Sequence, residues 1–343
     1  MFTHRSNELP LGRFYNQETT VRRLAIYDRE HPNMRRVGNP PAWWMARLRH
    51  QPLRWNSLTR MTAEEIISKV KDLPVVSETA RKLPALLNKP ELHRDDLVQT
   101  LRCDNVLTAK LLRVCNSAEI GLREPVTSMD QAVLLLGHNV IFRTVCALGY
   151  GGIMSAPLVG YAVEANGLWS HSVTTGVAAE YLAEVENYGS FQPPVAFTAG
   201  LLHDLGKIVL NQLLTPKIRA EIRVLIAEKN LSRVAAEREV FGADHAAVGA
   251  ALLRRWGVPE VIAQAVADHH TPVAQPEIQL SALVHLANSA ALLSGSAGCW
   301  DAYAMRVQQD LSQTLSLEVT RIEQLLLGVH SSLASVKQLM AAA

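Results

Sequence analysis

The feature that most constrains this sequence is a polar pair, His203 and Asp204, inside an apolar run with helical character. The run extends from about Pro194 to Leu210, and its pattern predicts one continuous helix. A buried imidazole and a buried carboxylate each cost free energy unless they find a partner. A metal ion is the simplest common partner, because it binds neutral imidazole and carboxylate together. A buried hydrogen bond between the two residues is the alternative, since two ligands do not hold a metal.

Other histidines occur in similar settings and favour the metal interpretation. His171 precedes a run of small residues, and His245 lies in an alanine-rich segment. His269 and His270 follow an apolar helical segment, and Asn288 lies in a later one. Because these side chains lie on or beside helices rich in Ala, Val and Leu, they are candidates for one shared buried site.

The chain from residue 62 onward predicts an all-α fold. Thr62 and Glu65 form a capping-box pattern, and Ser128 and Gln131 form a second one. The second precedes the apolar stretch 132–136, which we expect to be central to the core. Aromatic residues make up only 6% of the chain, and no hairpin signals occur. Residues 149–160, which are rich in glycine, predict a loop-rich joint between two helical halves.

Composition excludes several classes of protein. The net charge of +2 is too small to imply a nucleic-acid partner for the whole chain. The four cysteines have no metal-type spacing and are typical of reduced core residues. No apolar run of about 18 residues and no signal-peptide pattern occurs, so no transmembrane segment is predicted. We therefore expect a cytoplasmic protein.

Residues 1–60 differ from the rest. They hold eleven Arg, no Lys and four acidic residues, for a net charge of +7. They predict a largely irregular arm with one short helix near 41–49. The arm could dock on an acidic partner, a membrane surface or nucleic acid. Alternatively it is a solvated tail whose tryptophan pair, Trp43 and Trp44, packs on the rest of the protein.

Rival catalytic motifs fail on spacing or are missing. The segment from Gly200 to Lys207 looks like a phosphate loop, but Ile208 stands where Ser or Thr is needed. The spacing from Gly200 to Gly206 is also one residue too long. The sequence contains no Gly-x-Ser-x-Gly, no His-Glu-x-x-His and no cysteine placed as a nucleophile.

The order of the polar residues carries a family resemblance. One His, then His-Asp, one His, His-His and a position expected to be acidic together resemble the HD superfamily of metal-dependent phosphohydrolases, and His-Asp-Leu-Gly-Lys resembles its HD-GYP branch. Leu73-Pro74 and the segments 107–118 and 128–137 are similar to the signature of HDOD domains, the HD-related output domains of bacterial signalling proteins. The resemblance covers about residues 62–275. It implies a helical N-terminal half packed on an HD-like helical half.

The resemblance also implies ligands, as follows. The first ion would be held by His171, His203, Asp204 and Asn288. The second would be held by Asp204 as a bridge, His245, His269 and His270. Asp204 and Lys207 would be the catalytic residues, with Lys207 facing a phosphate oxygen as a fixed charge. The cofactor would be one or two divalent ions, Fe, Mn, Zn, Mg or Ni.

Two departures weaken the case for catalysis. Asn288 stands where the hydrolases carry Asp, and its amide brings no negative charge, so low metal affinity is expected. The segment after His269 and His270 lacks the Gly-Tyr-Pro run of the cyclic-di-GMP hydrolases, which leaves their substrate in doubt.

Two hypotheses follow from these observations. The first is a bacterial signal-transduction output module that acts through signalling proteins and carries a full or vestigial metal site. The alternative is a metal-dependent phosphohydrolase or phosphodiesterase acting on a cyclic nucleotide or another phosphoester. Nucleic-acid binding through the arm is a weaker third idea, and a homodimer stays open. The predicted organisation is an arm over 1–60, an HDOD domain over 62–275 with halves 62–150 and 161–275, and packed C-terminal helices over 276–343.

Overall fold

The computed structural model describes residues 61–88, 92–118, 120–122, 124–184, 191–272, 279–295 and 327–328. All of them belong to one compact unit, Leu58–Ala343. The Arg-rich arm with its short helix lies outside the described residues, and so does most of the predicted C-terminal helical segment beyond Gly295. The domain boundaries given above stay predictions.

The described part of the chain is built of α-helices. In the N-terminal half they are α1 (Ala63–Lys69), α2 (Glu78–Lys82), α3 (Arg94–Arg102), α4 (Asn105–Cys115), α5 (Met129–Leu136) and α6 (His138–Met154). The second half contains α7 (Gly167–Glu184), α8 (Pro193–Leu202), α9 (Gly206–Leu213), α10 (Pro216–Lys229), α11 (Arg233–Phe241), α12 (His245–Arg255), α13 (Glu260–Asp268) and α14 (Leu280–Leu293). Among these residues the only β-type pairing is an isolated bridge between Leu158 and Val163. The all-α prediction is confirmed.

Of the two predicted capping boxes, the first is complete and the second is only half formed. The Thr62 hydroxyl accepts from the Glu65 amide at 3.2 Å, and the Glu65 carboxylate accepts from the Thr62 amide at 2.8 Å, which completes the predicted capping box. Ser128 also caps its helix, by accepting from the Gln131 amide. The Gln131 side chain, however, accepts from the amide of Thr127 rather than from that of Ser128.

The apolar stretch 132–136 is not central to the core, contrary to expectation. Leu134 and Leu135 on α5 are 72% and 50% exposed, and only Ala132 and Val133 of this stretch are buried. A helix of two turns packed on one side buries one stripe, so a continuous apolar run still leaves part of its surface in solvent.

The predicted loop over 149–160 is wrong for its first six residues, because α6 continues to Met154. Its glycines allow close packing instead. A Cβ on Gly149 would lie 2.8 Å from the Cβ of Ala80, and one on Gly151 would lie 2.9 Å from Nε1 of Trp169. The glycine content that predicted a loop here instead allows close contact between helices.

A short hairpin-like segment, Leu158 to Val163, connects the two halves, and we call it the hook. The bridge between its two end residues closes it. The Gly160 amide donates to the Asn211 side chain on α9 at 2.8 Å, and a Cβ at this glycine would meet Leu214 at 2.6 Å. The hook therefore sits tightly on the second half and directs Tyr161 into it.

The apolar run from Pro194 to Leu210 is two helices rather than one. Helix α8 ends at Leu202 and α9 begins at Gly206. Both helices pass close to neighbours at glycines: a Cβ on Gly200 would lie 2.7 Å from the carbonyl oxygen of Thr175 on α7. A Cβ on Gly206 would collide with the backbone of His245 at the start of α12. These crossings bring α7, α9 and α12 together around the turn between α8 and α9.

Within the described residues, no helix by itself combines the length and apolar character that crossing a membrane requires. Only α5 and α6 taken together, as a pair bent by 119°, meet a length-and-composition criterion.

Candidate metal centre

The polar pair lies in the turn between α8 and α9, and both side chains are buried. The His203 Nδ1 lies 2.7 Å from the carbonyl oxygen of Gly200. A carbonyl only accepts, so Nδ1 carries the proton and Nε2 keeps a free lone pair. In the described structure this buried Nε2 has no hydrogen-bond partner. A neutral imidazole fixed in this tautomer is the form in which histidine binds metals.

The Asp204 carboxylate faces two groups of histidines, one with each oxygen. Its Oδ2 lies 3.6 Å from Nε2 of His171 and 3.4 Å from Nε2 of His203. Its Oδ1 lies 3.4 Å from Nε2 of His245. We call His171, His203 and Asp204 the first group; their ligand atoms lie within 4.8 Å of one another.

The second group consists of His245, His269 and His270, whose ligand atoms also lie within 4.8 Å of one another. His269 repeats the arrangement of His203: its Nδ1 lies 2.7 Å from the carbonyl oxygen of Val266. Its Nε2 is buried and, among the described residues, has no hydrogen-bond partner. The Nε2 atoms of His245 and His270 approach to 2.8 Å. Three imidazole nitrogens thus converge beside Asp204.

Lys207 lies inside this site rather than at the protein surface. It is buried, and its Nζ donates to Asp204 Oδ2 at 2.8 Å. Its ammonium therefore does not reach into solvent. Its contact is with the carboxylate that the first group shares.

Burial dominates the electrostatics of the histidines. It lowers the pKa of His203 to about 4 and, together with the neighbouring histidines, holds the pKa values of His269 and His270 well below 6.5. Burial acts in the opposite direction on Asp204, but the surrounding His203, Lys207, His245 and His171 lower its pKa well below 3.8. At neutral pH three imidazoles are therefore neutral and the carboxylate is ionised, the charge states that metal ligands need.

His245 differs from the other histidines because a carboxylate supports it. Burial lowers its pKa, but the attraction of Glu237 and its hydrogen bond outweigh burial and raise the pKa above 6.5. The Nδ1 of His245 lies 2.7 Å from Glu237 Oε2. The sequence reasoning missed Glu237; its neighbours on α11 are charged, so this segment looked solvent-facing.

Helix α14 carries the last candidate ligand, Asn288, and a further buried histidine, His285. Asn288 is buried, and its Oδ1 has no hydrogen-bond partner within the described structure. Its helix packs against α7, which carries His171. His285 lies one helical turn before Asn288, and its Nδ1 lies 2.7 Å from the carbonyl oxygen of His269. The structure thus brings His171, His203, Asp204, Lys207, His245, His269 and His270 together, and places Asn288 on an adjoining helix.

The comparison with protein families agrees with this geometry. A family model described as the HDOD domain matches residues 73–272. The chain belongs to the HDOD domain family. The resemblance given by the sequence motifs is confirmed, and the family match contains the polar pair and all five histidines of the two groups.

Relatives of this HDOD chain share its fold. An uncharacterized protein from Treponema pallidum (strain Nichols) is 25% identical over 219 residues, or 64% of this chain and 42% of that protein. The chain thus matches less than half the length of that relative. A solved HDOD domain protein of unknown function from Geobacter sulfurreducens has a TM-score of 0.61 at 24% identity, over 82% of this chain and 95% of that one. A protein from Marinobacter aquaeolei VT8, provisionally assigned to signal transduction, has a TM-score of 0.60 at 22% identity, over 78% of this chain and 58% of that one.

Proposed function

We propose that this HDOD chain is a bacterial signal-transduction output module built around a divalent-metal centre at Asp204. One observation carries the proposal: the two oxygens of this buried carboxylate face two separate groups of histidines. If His203 and Asp204 formed only a buried hydrogen bond, the other histidines would not be needed beside the carboxylate. The provisional assignment of the Marinobacter neighbour to signal transduction agrees with this reading, although its likeness to this chain is one of fold.

The residues present fit a metal ion. His203 and His269 each have a buried Nε2 with no partner in the described structure, and each is held in the metal-binding tautomer by a backbone carbonyl. Leaving such atoms unpaired in the interior is costly, and an ion in each group would satisfy them. Imidazole-rich sets suit Fe, Zn or Ni, and Mn where a carboxylate contributes, whereas Mg prefers oxygen ligands. With Asn288 in place of Asp, we expect the first group to hold its ion weakly.

The closure of the site favours a regulatory role over catalysis. Of the candidate ligands only His270 is partly accessible; His171, His203, Asp204, His245, His269 and Asn288 are all buried. Structural metal sites are closed, whereas catalytic sites keep an open position for water or substrate. In our proposal the ion stabilises the packing of α7, α9 and α12. Protein partners then bind the surface that these packed helices form. These partners, and self-association into a homodimer, belong to the proposal.

A metal-dependent phosphohydrolase is the second candidate, and the carboxylate shared between two groups favours it. Two-ion sites in hydrolases use this kind of arrangement. A bound ion would lower the pKa of bound water and stabilise negative charge on a phosphate. Lys207 would supply a further fixed positive charge, provided that it leaves Asp204 for the substrate.

The first experiment is elemental analysis of the untagged protein, compared with Asp204→Asn. This substitution keeps the shape of the side chain and removes the charge that both groups share. We expect stoichiometric Fe, Zn, Mn or Ni in the wild type and loss of that metal in the variant. Asp130→Asn is the control, because Asp130 is an exposed partner of Arg102 far from the histidines in sequence and in its contacts. A wild-type protein that binds no divalent ion at any tested concentration would refute the metal centre.

Turnover separates the two candidates. The metal-loaded protein is incubated with a generic phosphodiester such as bis(4-nitrophenyl) phosphate. The regulatory proposal expects no turnover above that of Asp204→Asn. Turnover that depends on both the ion and Asp204 would establish the phosphohydrolase instead.

A further inference from the structure

Glu237 on α11 is a completely buried carboxylate that accepts four hydrogen bonds. Its Oε2 accepts from the backbone amide of His245 at 3.0 Å and lies 2.7 Å from the Nδ1 of the same residue. Its Oε1 accepts from the hydroxyl of Tyr161 at 2.9 Å and from Nε of Arg233 at 3.2 Å. Oε2 thus binds the candidate ligand His245, and Oε1 is held in place by Tyr161 and Arg233.

The local fold explains why this carboxylate meets His245. Helix α11 ends at Phe241, and Gly242 adopts a left-handed conformation with φ of +92°, which reverses the chain. His245 is the first residue of α12, where the backbone amide has no partner within its own helix. Glu237 satisfies that amide and the ring together. The imidazole is thereby fixed with Nε2 directed at Asp204 Oδ1, 3.4 Å away.

We propose that Glu237 is a positioning residue for the second group, and that the hook fixes the position of the Glu237 carboxylate through Tyr161. The proposal rests on the metal centre proposed above. Glu237 holds His245 in the Nδ1-protonated form and leaves Nε2 for an ion. Outer partners of this kind orient the ligand and raise its basicity.

The candidate histidine ligands depend on two different kinds of support. The Nδ1 atoms of His203 and His269 are held by backbone carbonyls at 2.7 Å, which no side-chain change removes. His245 relies on a side chain that is itself held from another part of the chain. Changing Glu237 should therefore weaken the second group and spare the first.

The hook ties Glu237 to the segment that joins the two halves. Arg233 donates through its guanidinium to the carbonyl oxygen of Gly160 at 3.2 Å, and its Cζ lies 4.4 Å from the centre of the Tyr161 ring. The same ring meets the ring of His245 edge-on, with centres 6.4 Å apart. A shift of the hook would move both donors to Glu237 Oε1, so the geometry of His245 depends on how the halves are joined.

The experiment measures metal affinity in backgrounds that isolate each group. His171→Ala removes a ligand of the first group, so the remaining ion reports the second; His269→Ala does the reverse. Full-length, metal-stripped protein is titrated with Zn²⁺ by calorimetry, with and without Glu237→Gln. We expect Glu237→Gln to weaken Zn²⁺ binding by about 10- to 100-fold in the His171→Ala background. In the His269→Ala background we expect no change.

Two further variants make the test specific. Tyr161→Phe removes one hydrogen bond to Glu237 Oε1 and should weaken the second group in the same direction, by less than Glu237→Gln. Glu180→Gln is the matched control, because Glu180 is also a buried helical carboxylate paired with an arginine, Arg143 at 2.7 Å. It should leave both affinities unchanged. If Glu237→Gln does not fold, as judged by circular dichroism, Tyr161→Phe against Glu180→Gln carries the comparison.

A second readout is independent of metal. Nitrogen-15 NMR of histidines in the metal-free protein distinguishes the two tautomers, and we expect His245 to lose its single Nδ1-protonated form in Glu237→Gln. Equal Zn²⁺ affinities and an unchanged tautomer would overturn the positioning role while leaving the metal centre standing. If the wild type binds no Zn²⁺ at all, the metal centre fails, and the tautomer of His245 alone decides whether Glu237 positions it.

Discussion

Lys207 donates to Asp204 Oδ2 at 2.8 Å, and both side chains are buried. The same oxygen lies within 3.6 Å of Nε2 of both His171 and His203. An ion in the first group would therefore interact with the same oxygen as the lysine ammonium. In the metal-free protein the ammonium compensates the buried charge, and an ion would take over part of that role.

Lys207→Met should destabilise the metal-free protein strongly, because it leaves a buried carboxylate without its cation. Breaking a buried pair costs about 3–5 kcal/mol in the free energy of unfolding. We expect saturating Zn²⁺ to stabilise this variant more than it stabilises the wild type. Urea unfolding with chelator and with Zn²⁺ measures both effects.

Lys82→Met is the control for that substitution. Lys82 pairs with Glu78 on an exposed surface, where its side chain is 63% accessible. Solvent screens such an exposed pair, so it contributes little to stability, and Zn²⁺ should not change that contribution. A Lys207→Met loss that is equal with and without Zn²⁺ would contradict the shared oxygen.

The metal-free protein should lose stability as the pH falls from about 7 to about 5. The pKa of His203 is lowered to about 4, and those of His269 and His270 lie well below 6.5. Below about pH 6.5 these histidines therefore take up protons in the unfolded chain but stay neutral in the folded chain, and this difference favours unfolding. His245 acts in the opposite sense, since its pKa is raised beside Glu237, but one raised pKa offsets only part of three lowered ones.

Urea midpoints across this pH range, with chelator present, measure the slope. His269→Gln removes one of the three groups and should flatten it by up to about 1.4 kcal/mol per pH unit. His93→Gln, a change at an exposed histidine, should leave the slope unaltered. A stability that is constant from neutral to mildly acidic pH would show that the buried histidines do not resist protonation.

The convergence of the candidate ligands could be predicted from the sequence because they are polar residues in apolar helical runs, where burial demands a partner. The turn from His203 to Leu205 could not be predicted from the sequence. No proline interrupts the run, and α8 and α9 separate because Gly206 must approach the backbone of His245 closely. That requirement comes from a residue 39 positions away in the sequence, which local periodicity does not register.

The supports of the site were also invisible to sequence reasoning. Glu237 lies between Arg233 and Arg238 on α11, a pattern typical of a solvated face, yet it is completely buried. His285, one helical turn before Asn288, contacts the backbone carbonyl of His269, and no sequence motif singled it out. In both cases the deciding contact joins helices that are distant in sequence. Tyr161 is the same kind of case, since its partner lies 76 residues ahead.

Gly206→Ala should destabilise the protein and disturb the second group. A Cβ at this position would collide with the carbonyl of His245 and lie 2.6 Å from the amide nitrogen of Gly249. Both atoms are backbone, so α9 and α12 would have to separate. We expect a loss of at least about 1–3 kcal/mol, the usual cost of overpacking, together with weaker Zn²⁺ binding.

Gly152→Ala is the matched control, because it introduces the same methyl group into a helix where no atom lies within 4 Å. Alanine is the better helix former, so this variant should gain about 0.5–1 kcal/mol. Thermal unfolding of both variants measures the contrast. A stable Gly206→Ala protein with unchanged Zn²⁺ affinity would show that α9 and α12 can separate at this crossing without cost to the fold or the site.

Asn288→Asp should have opposite effects on the metal-free and metal-loaded protein. The Oδ1 of Asn288 is buried, with no hydrogen-bond partner in the described structure, so a carboxylate there would be an unpaired buried charge that destabilises the metal-free fold. With an ion in the first group the same charge becomes a ligand, and we expect Zn²⁺ to bind about tenfold more tightly. Calorimetry and chelator-treated urea unfolding measure the two effects.

The control for charge alone is Asn230→Asp, at an exposed residue that ends α10; it should leave the Zn²⁺ affinity unchanged. A His171→Ala background then decides where the new carboxylate acts. If Asn288 completes the first group, the tighter binding must disappear when His171 is removed and must persist in His269→Ala. A gain that survives the loss of His171 would place Asn288 outside the first group, and the weak affinity expected there would need another cause.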